Sequence, residues 1–376
     1  MNVVLKTRVE EINIDKACVE LSDGTTMPYD YLVMGTGSTA SLPNIPGQEL
    51  EGVFTLKNLT DAVRIKRYLR EKQCRKATII GAGFIALEMS EAFTNAGIEP
   101  CIVYRGKLPA KRWDPEFSNL LLEALHENGV TFLSETKPVA IEAGKNSHLR
   151  LLTNNGAMDT DCVLLALGVR PNVALAEAIG LEIGHSGAIK VDFSQRTSRE
   201  EVYAVGDCCE AYHRISQQWD YIPLGDIANK QGRVAGQNIG GGTMVFPGVV
   251  GSQSFKLFNL EVSSTGLDEG EASRSGYHPI SAIVWGNPIA PSLAKSLPGS
   301  KRLGLKLIAE KSTGALLGAQ AVGTENVVSR INTLAVALWS GLDLDEIGYL
   351  DFGYAPPFGG AWDPIHIAAQ TLKRKI

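Results

Sequence analysis

The sequence predicts an α/β fold that gives way to a mixed α+β layer over its last third. Three observations carry this. A β-branched run, Ala77-Thr78-Ile79-Ile80, enters a glycine-rich turn, and an amphipathic helical pattern leaves it for the strand Pro100–Val103. A second helical pattern, with Phe117, Leu120, Leu121, Ala124 and Leu125 on one face, is stopped by Asn128-Gly129 and followed by another apolar strand, 130–133. Strand, helix and strand in close succession make parallel βαβ units. Beyond the glycines at 240, 241 and 242 the pattern changes to strands near Phe255, Val262, Ile283, Leu305 and Leu317, then helices over 327–340 and 364–373.

At 376 residues the chain has room for two or three domains and a sizeable core. Its 44% hydrophobic and 20% charged residues are those of an ordinary soluble protein, and a net charge of -5 gives no reason to expect nucleic acid. No apolar run approaches the roughly 18 residues of a membrane span. Charges at Lys6, Arg8, Glu10, Glu11 and Asp15 are not the pattern of a signal peptide. None of the six cysteines makes a CxxC spacing, and Cys208-Cys209 are too close for an ordinary disulfide. Reduced thiols and a cytoplasmic location are therefore expected. His213 and His366 stand alone, so no metal site is expected.

In chain order, strands are expected at 3–5, 9–14, 18–21 and 29–34, with Asp23-Gly24 as a hairpin turn. The first of these begins almost at Met1, as though the chain started inside a domain. Pro43, Pro46 and Gly47 mark an irregular linker. Asn58 caps a helix to about Arg70, and Asp114-Pro115 reads as an N-cap with proline in the first turn. Residues 58–171 form one compact α/β unit. Strands at 189–191 and 202–205 then lead to a helix over 224–239, with Leu224, Ile227, Ala228, Gln231 and Ala235 on one face.

The turn Gly81-Ala82-Gly83-Phe84-Ile85-Ala86 is a Gly-x-Gly-x-x-Ala dinucleotide fingerprint in its proper context. Gly81 permits the tight turn, Gly83 lets the backbone approach a pyrophosphate, and Ala86 lets the helix pack close to the strand. Ile85, Met89, Ala92 and Ala96 fall at helical spacing, and Gly97 closes the helix. Glu88, one turn in, is either a favourable charge near a helix N-terminus or a group facing the cofactor. An acidic residue at the end of the second strand would select NAD. Here stand Tyr104-Arg105-Gly106-Lys107. Arg105 is either a solvated charge or a partner for a 2′-phosphate, and the balance leans to NADPH over NADH. Asp207, after Val205-Gly206, is either a capping carboxylate or an acceptor for a ribose or ribityl hydroxyl. Tyr354 precedes Ala355-Pro356-Pro357, a rigid segment that either packs the ring or holds its phenol in place. Cys208 and Cys209 read as buried, inert thiols.

Five ordered motifs resemble one family over essentially the whole chain. Tyr29-Asp30-Tyr31-Leu32-Val33-Met34-Gly35-Thr36-Gly37-Ser38 resembles the YDxLVxATG segment of FAD-dependent pyridine nucleotide-disulfide oxidoreductases. Ala166-Leu167-Gly168-Val169-Arg170-Pro171-Asn172 is similar to the end of their inserted nicotinamide domain, and Glu201–Asp207 to their second flavin motif. Ile222-Pro223-Leu224 with Ala228–Arg233, and Tyr354-Ala355-Pro356-Pro357 with Asp363-Pro364, narrow the likeness to the coenzyme A-disulfide reductase and NADH oxidase branch.

The resemblance implies FAD/NAD(P)-binding Rossmann-like domains with a C-terminal α+β dimerisation domain. A flavin domain over 1–57 and 172–247 would flank a nicotinamide domain at 58–171, with dimerisation at 248–376. Gly35, Thr36, Gly37, Gly206, Asp207, Leu224 and Ala228 would contact FAD. Gly81, Ala82, Gly83, Phe84, Ile85, Tyr104, Arg105 and Gly168 would hold NADPH or NADH. Glu88 would face the nicotinamide, and Tyr354 would reach the active site of the other subunit of a homodimer. Hydride would pass to FAD and on to a small disulfide or to oxygen. Departures accompany the match. Gly35 replaces the alanine of ATG, Phe358 stands where an aromatic hydroxyl is common, and Gly359-Gly360 replace small polar residues. The family's opening flavin-binding βαβ and redox cysteine have no counterpart, so the flavin domain reads as incomplete. The chain reads as a family member lacking its front end, through truncation or a start assigned too late. The alternative expectation is an inactive nicotinamide-binding and dimerisation protein that holds no FAD.

Overall fold

The computed structural model describes residues 2–145, 147–295 and 302–376. Packing divides the chain into two units, one of Met1–Thr39 with Val169–Val249 and one of Ala40–Gly168 with Val250–Ile376.

In the first unit, Val9–Asn13, Cys18–Leu21 and Thr26–Pro28 form an antiparallel meander. Its turn uses Gly24 at φ +82° and the Asp23 carboxylate, which accepts the Thr25 N–H at 3.0 Å. The strand expected at 3–5 does not form. Val3, Val4 and Leu5 are 63, 55 and 77% exposed, and a β-branched run without a hydrogen-bonding neighbour has no ladder to join. Leu32–Met34 and Val202–Ala204 pair in parallel, which brings the turns after both strands to the same end. The expected strand at 189–191 is reduced to isolated bridges from Ile189 to Ile183 and Cys209. The helix Gly225–Ile239 buries Ile227, Gln231, Val234 and Ala235.

In the second unit five parallel strands lie in the order Val53–Thr55, Cys162–Leu165, Lys76–Ile80, Glu99–Val103, Thr131–Leu133. Helices Leu59–Glu71, Phe84–Asn95 and Pro115–Glu127 provide crossovers. Ile79, Ile102 and Val163 are fully buried, as the central strands of a parallel sheet require. Because Val53–Thr55 pairs with Cys162–Leu165, residues 40–57 pack with this unit, and the packing boundary falls at 39/40 rather than at 57. Asn58 caps its helix through a reciprocal capping box with Asp61. Asp114 occupies the N-cap position of Pro115–Glu127, but its carboxylate makes no cap hydrogen bond; it binds Lys306 instead.

The fingerprint helix also turns a different face inward. Ala86, Leu87, Ser90 and Phe93 are buried, whereas Ile85 and Met89 are half-buried and Ala92 and Ala96 exposed. Small Ala86 and Ser90 allow the close approach to the sheet, and the Ser90 hydroxyl is satisfied by the Leu87 carbonyl at 2.7 Å.

The C-terminal sheet of this unit is antiparallel, in the order Gln253–Leu257, Leu260–Gly266, Leu316–Gly323, Leu303–Glu310, Pro279–Gly286. Helices Val327–Ser340 and Pro364–Lys373 pack on it. Leu303–Glu310 and Leu316–Gly323 are buried along their whole lengths. One hydrophobic cluster runs from Ile79 and Ile102 of the parallel sheet through Trp113 and Phe117 to Phe255, Val262 and Val322 of the antiparallel one.

Candidate dinucleotide sites

The fingerprint turn in the second unit is shaped by what surrounds each glycine. Gly81 has φ +122°, and a Cβ placed on it would lie 2.2 Å from the Ala166 carbonyl oxygen. The turn and the neighbouring strand both require glycine there. A Cβ on Gly83 would meet nothing within 4 Å, so open space faces the backbone at that point. Gly83 is the N-cap of Phe84–Asn95, and no side chain caps it. The first helical N–H groups are thus left for an external acceptor, with the positive end of the helix dipole behind them. The Ala82 carbonyl accepts the Ala110 N–H at 2.8 Å. Phe84 is 42% exposed at the rim. This donor set and space fit the phosphates of a dinucleotide.

Glu88 lies on the exposed side of the same helix. Partial desolvation of its carboxyl, with the Glu91 charge second, holds its pKa above the ordinary carboxylate value. At the end of the neighbouring strand the Tyr104 N–H donates to Leu133 O at 3.0 Å, and the Tyr104 ring packs on Phe132 with centroids 6.3 Å apart. Arg105 is exposed. A groove of about 380 Å³ is lined by Phe132, Leu133, Thr136, Asn155 and Met158. Gly168, at φ +89° with open space about it, accepts the Ser41 N–H at 2.9 Å.

The first unit holds a second cradle. Gly35-Thr36-Gly37-Ser38 leaves the strand Leu32–Met34, and Gly206-Asp207 leaves its parallel neighbour. They meet where the Ser38 hydroxyl donates to Asp207 Oδ2 at 3.0 Å. Gly37 has φ +67° and open space about it, and a Cβ on Gly35 would meet only Val205 Cγ2 at 3.9 Å. Gly206, at φ +77°, packs against the helix Gly225–Ile239, where a Cβ would come within 3.3 Å of Ala228 Cβ. Its N–H donates to Gln231 Oε1 at 2.8 Å, and Gln231 Nε2 donates to Glu210 O at 3.0 Å. Leu224 is the N-cap of that helix, and no side chain caps it either. Open glycine backbone beside an accepting carboxylate fits the hydroxylated chain and phosphates of a flavin dinucleotide.

Three partners in this cradle escaped the sequence reading. Asn172 was visible only as the end of a motif, yet it makes four hydrogen bonds to residues 36–39. Gln231 read as one member of an apolar helix face. Tyr221 carried no signal. Burial pushes its phenol up to about 12, and the hydroxyl, close to Ser38 and Asp207, has no aligned partner among the described residues. Cys208 and Cys209 are buried, their thiols donating to Met34 O at 3.3 Å and Gly206 O at 3.4 Å. Tyr354 stands on an exposed loop, 60% accessible, near exposed Phe358 and Trp362. Among the described residues no group of His, Cys, Asp and Glu could hold a metal ion, and no helix is long and apolar enough to cross a membrane.

Two cradles of this kind, on α/β units with a C-terminal antiparallel sheet, define a two-dinucleotide oxidoreductase. The chain belongs to the pyridine nucleotide-disulphide oxidoreductase family. The family's main domain matches residues 1–232 and its dimerisation domain residues 252–364. The chain is 36% identical to a CoA-dependent NAD(P)H sulfur oxidoreductase of Pyrococcus furiosus, over 98% of this chain and 83% of that protein. It is 33% identical to an NADH oxidase of Methanocaldococcus jannaschii, over 100% of this chain and 84% of that protein. Among solved structures, an NAD-dependent persulfide reductase from A. fulgidus superposes with a TM-score of 0.92 at 37% identity, over 98% of this chain and 68% of that chain.

Proposed function

We propose that this oxidoreductase draws hydride from NADPH or NADH through FAD and delivers the electrons to a sulfur–sulfur bond of a small disulfide or persulfide, with oxygen as the competing acceptor. The single observation that carries this reading is the open fingerprint turn. Gly83 is unobstructed at an uncapped helix N-terminus, and Arg105 rather than a carboxylate stands at the end of the next strand. Sulfur is placed before oxygen because two of the relatives above are named for sulfur substrates.

Gly81, Ala82, Gly83, Phe84 and Ile85 would hold the nicotinamide dinucleotide by its phosphates, with Tyr104, Arg105 and Gly168 at its edges. Arg105 would pair with a 2′-phosphate. Gly35, Thr36, Gly37, Gly206, Asp207, Leu224 and Ala228 would hold FAD, with Asp207 accepting a ribityl hydroxyl and keeping the cofactor's orientation. Bound there, a flavin supplies two-electron chemistry that no side chain provides. Glu88, its carboxyl pKa raised by partial desolvation, would stand beside the nicotinamide, and Tyr354 would serve the partner subunit of a homodimer.

A second reading keeps the nicotinamide site and omits the flavin. The parallel pairing of Leu32–Met34 with Val202–Ala204 stands as a two-stranded sheet, with Val33 in the strand 43% exposed and Tyr31 before it 49% exposed. Incubation with FAD, desalting and measurement of bound flavin separates the two. Retention of close to one FAD per chain supports the first reading, and none supports the second.

A further inference from the structure

Lys306 and Gln320 face each other in register on adjacent strands of the C-terminal sheet, and each is only 3% exposed. Neither suits the apolar company it keeps, since a buried lysine and a buried amide are retained only with partners. Apart from Glu269, on the short helix Glu269–Arg274, their partners are Arg112 and Asp114, where one loop enters the helix Pro115–Glu127. Lys306 Nζ donates to the Asp114 carboxylate and to that of Glu269. Gln320 accepts the Asp114 N–H at 3.0 Å and donates to the Arg112 carbonyl at 3.2 Å. Arg112 in turn pairs with Glu271 at 3.3 Å.

That loop, 105–113, runs from the end of the strand Glu99–Val103 to the helix Pro115–Glu127 and touches the fingerprint turn on its way. It begins at Arg105. Midway, Ala110 takes φ +52°, a conformation that alanine avoids, and donates its N–H to Ala82 O in the fingerprint turn at 2.8 Å. Before Asp114, Trp113 packs edge-on against Phe255 of the sheet, centroids 5.4 Å apart. Held at Arg112–Asp114, the loop keeps Ala110 against the fingerprint. Glu91, on the fingerprint helix, is tied to the same sheet by the Phe258 N–H at 2.6 Å.

The geometry points to Lys306 and Gln320 as positioning residues for the nicotinamide cofactor, acting from the C-terminal sheet through loop 105–113 on the fingerprint carbonyl of Ala82 and on Arg105. This rests on the reading of Gly81–Ile85 as the nicotinamide cradle. Small displacements of a binding turn weaken a ligand held by backbone donors, so the effect falls on cofactor affinity rather than on the flavin.

The test is calorimetric titration of the full chain with NADP+, for the parent and for Lys306→Met, Lys306→Arg and Gln320→Leu. FAD content, subunit mass and amide exchange of residues 105–113 are measured alongside. Lys306→Met should weaken NADP+ about tenfold and Gln320→Leu roughly fivefold, with faster exchange over 105–113. Lys306→Arg should bind within about threefold of the parent, because the charge between Asp114 and Glu269 is kept. FAD content and subunit mass should not move. Should Lys306→Met fail to fold, Gln320→Leu, which changes no charge, decides alone. A parent that binds NADP+ and a Gln320→Leu variant that binds it equally well overturn the inference. A parent that binds neither NADP+ nor NAD+ overturns the reading of the cradle, and the inference with it.

Discussion

Thr36 and Asn172 bond each other in both directions. The Thr36 hydroxyl donates to the Asn172 carbonyl at 2.7 Å, and the Asn172 amide donates to the Thr36 carbonyl at 2.9 Å. The Asn172 N–H also reaches Gly37 O at 3.0 Å, and its side-chain oxygen takes the Thr39 hydroxyl at 2.6 Å. A backbone segment with two glycines would otherwise be loose, and this lock holds it open toward Asp207. Asn172→Leu should cost about 1–3 kcal/mol of stability, the usual penalty for stranding half-buried polar groups. It should also lower retained flavin. Thermal melts and the flavin-to-protein absorbance ratio check both effects.

Gly81 is held by sterics as well as by φ. Gly81→Ala should destabilise the second unit by roughly 1–3 kcal/mol, because the new methyl must displace the Ala166 carbonyl. It should abolish nicotinamide binding. Gly83→Ala meets no atom, so its stability should stay near the parent while nucleotide affinity falls where the methyl crowds a phosphate. The contrast between the two, read by urea melts and nucleotide titration, separates packing from binding.

Arg105 sets the choice of nucleotide in this account. Arg105→Ala should weaken NADPH about tenfold and leave NADH within about twofold, the loss of one charge-assisted contact to a phosphate. Steady-state KM values for the two nucleotides test it. No loss for either nucleotide would show that Arg105 is only a solvated charge, and equal losses for both would show a contact that does not select NADPH.

The Lys306 cluster gives a pH signature with two edges. Burial alone would lower the Lys306 pKa, but the hydrogen bonds it donates to Asp114 and Glu269 outweigh it and raise it above the ordinary lysine value. A raised folded value means its contribution is complete below the unfolded pKa and fades as pH climbs through the folded one. For Glu269, burial opposes ionisation, yet Lys306 and Ser281 together hold the carboxyl below 4.5. Its contribution is present above the unfolded value and fades as pH falls through the lowered one. Stability should therefore be flat across neutral pH and fall at both edges. Lys306→Met should remove the alkaline fall assigned to this cluster. Urea midpoints across pH in the parent and the variant measure it.

Local signals were readable wherever structure is decided locally. The Asn58 cap, the fingerprint turn, the Asn128-Gly129 stop and the five strands of the C-terminal sheet all lie where the sequence places them. What escaped depends on partners far along the chain. Asp114 looks like a cap because nothing nearby announces Lys306, 192 positions away. Val3–Leu5 has strand composition but no strand beside it. Ala86 is legible as the close-packing residue of the fingerprint helix, but the helical spacing of Ile85, Met89, Ala92 and Ala96 points to a face other than the buried one of Ala86, Leu87, Ser90 and Phe93. Asn172 and Gln231 act by bonding backbone groups, which neither spacing nor periodicity records.

The central claim is that the chain carries a flavin reducible by a nicotinamide nucleotide. The visible spectrum of the purified protein, taken before and after anaerobic NADPH, tests it most directly. The account predicts a yellow protein whose flavin band bleaches on addition of NADPH and returns with a persulfide or disulfide acceptor. A colourless protein that stays colourless after incubation with FAD would contradict it.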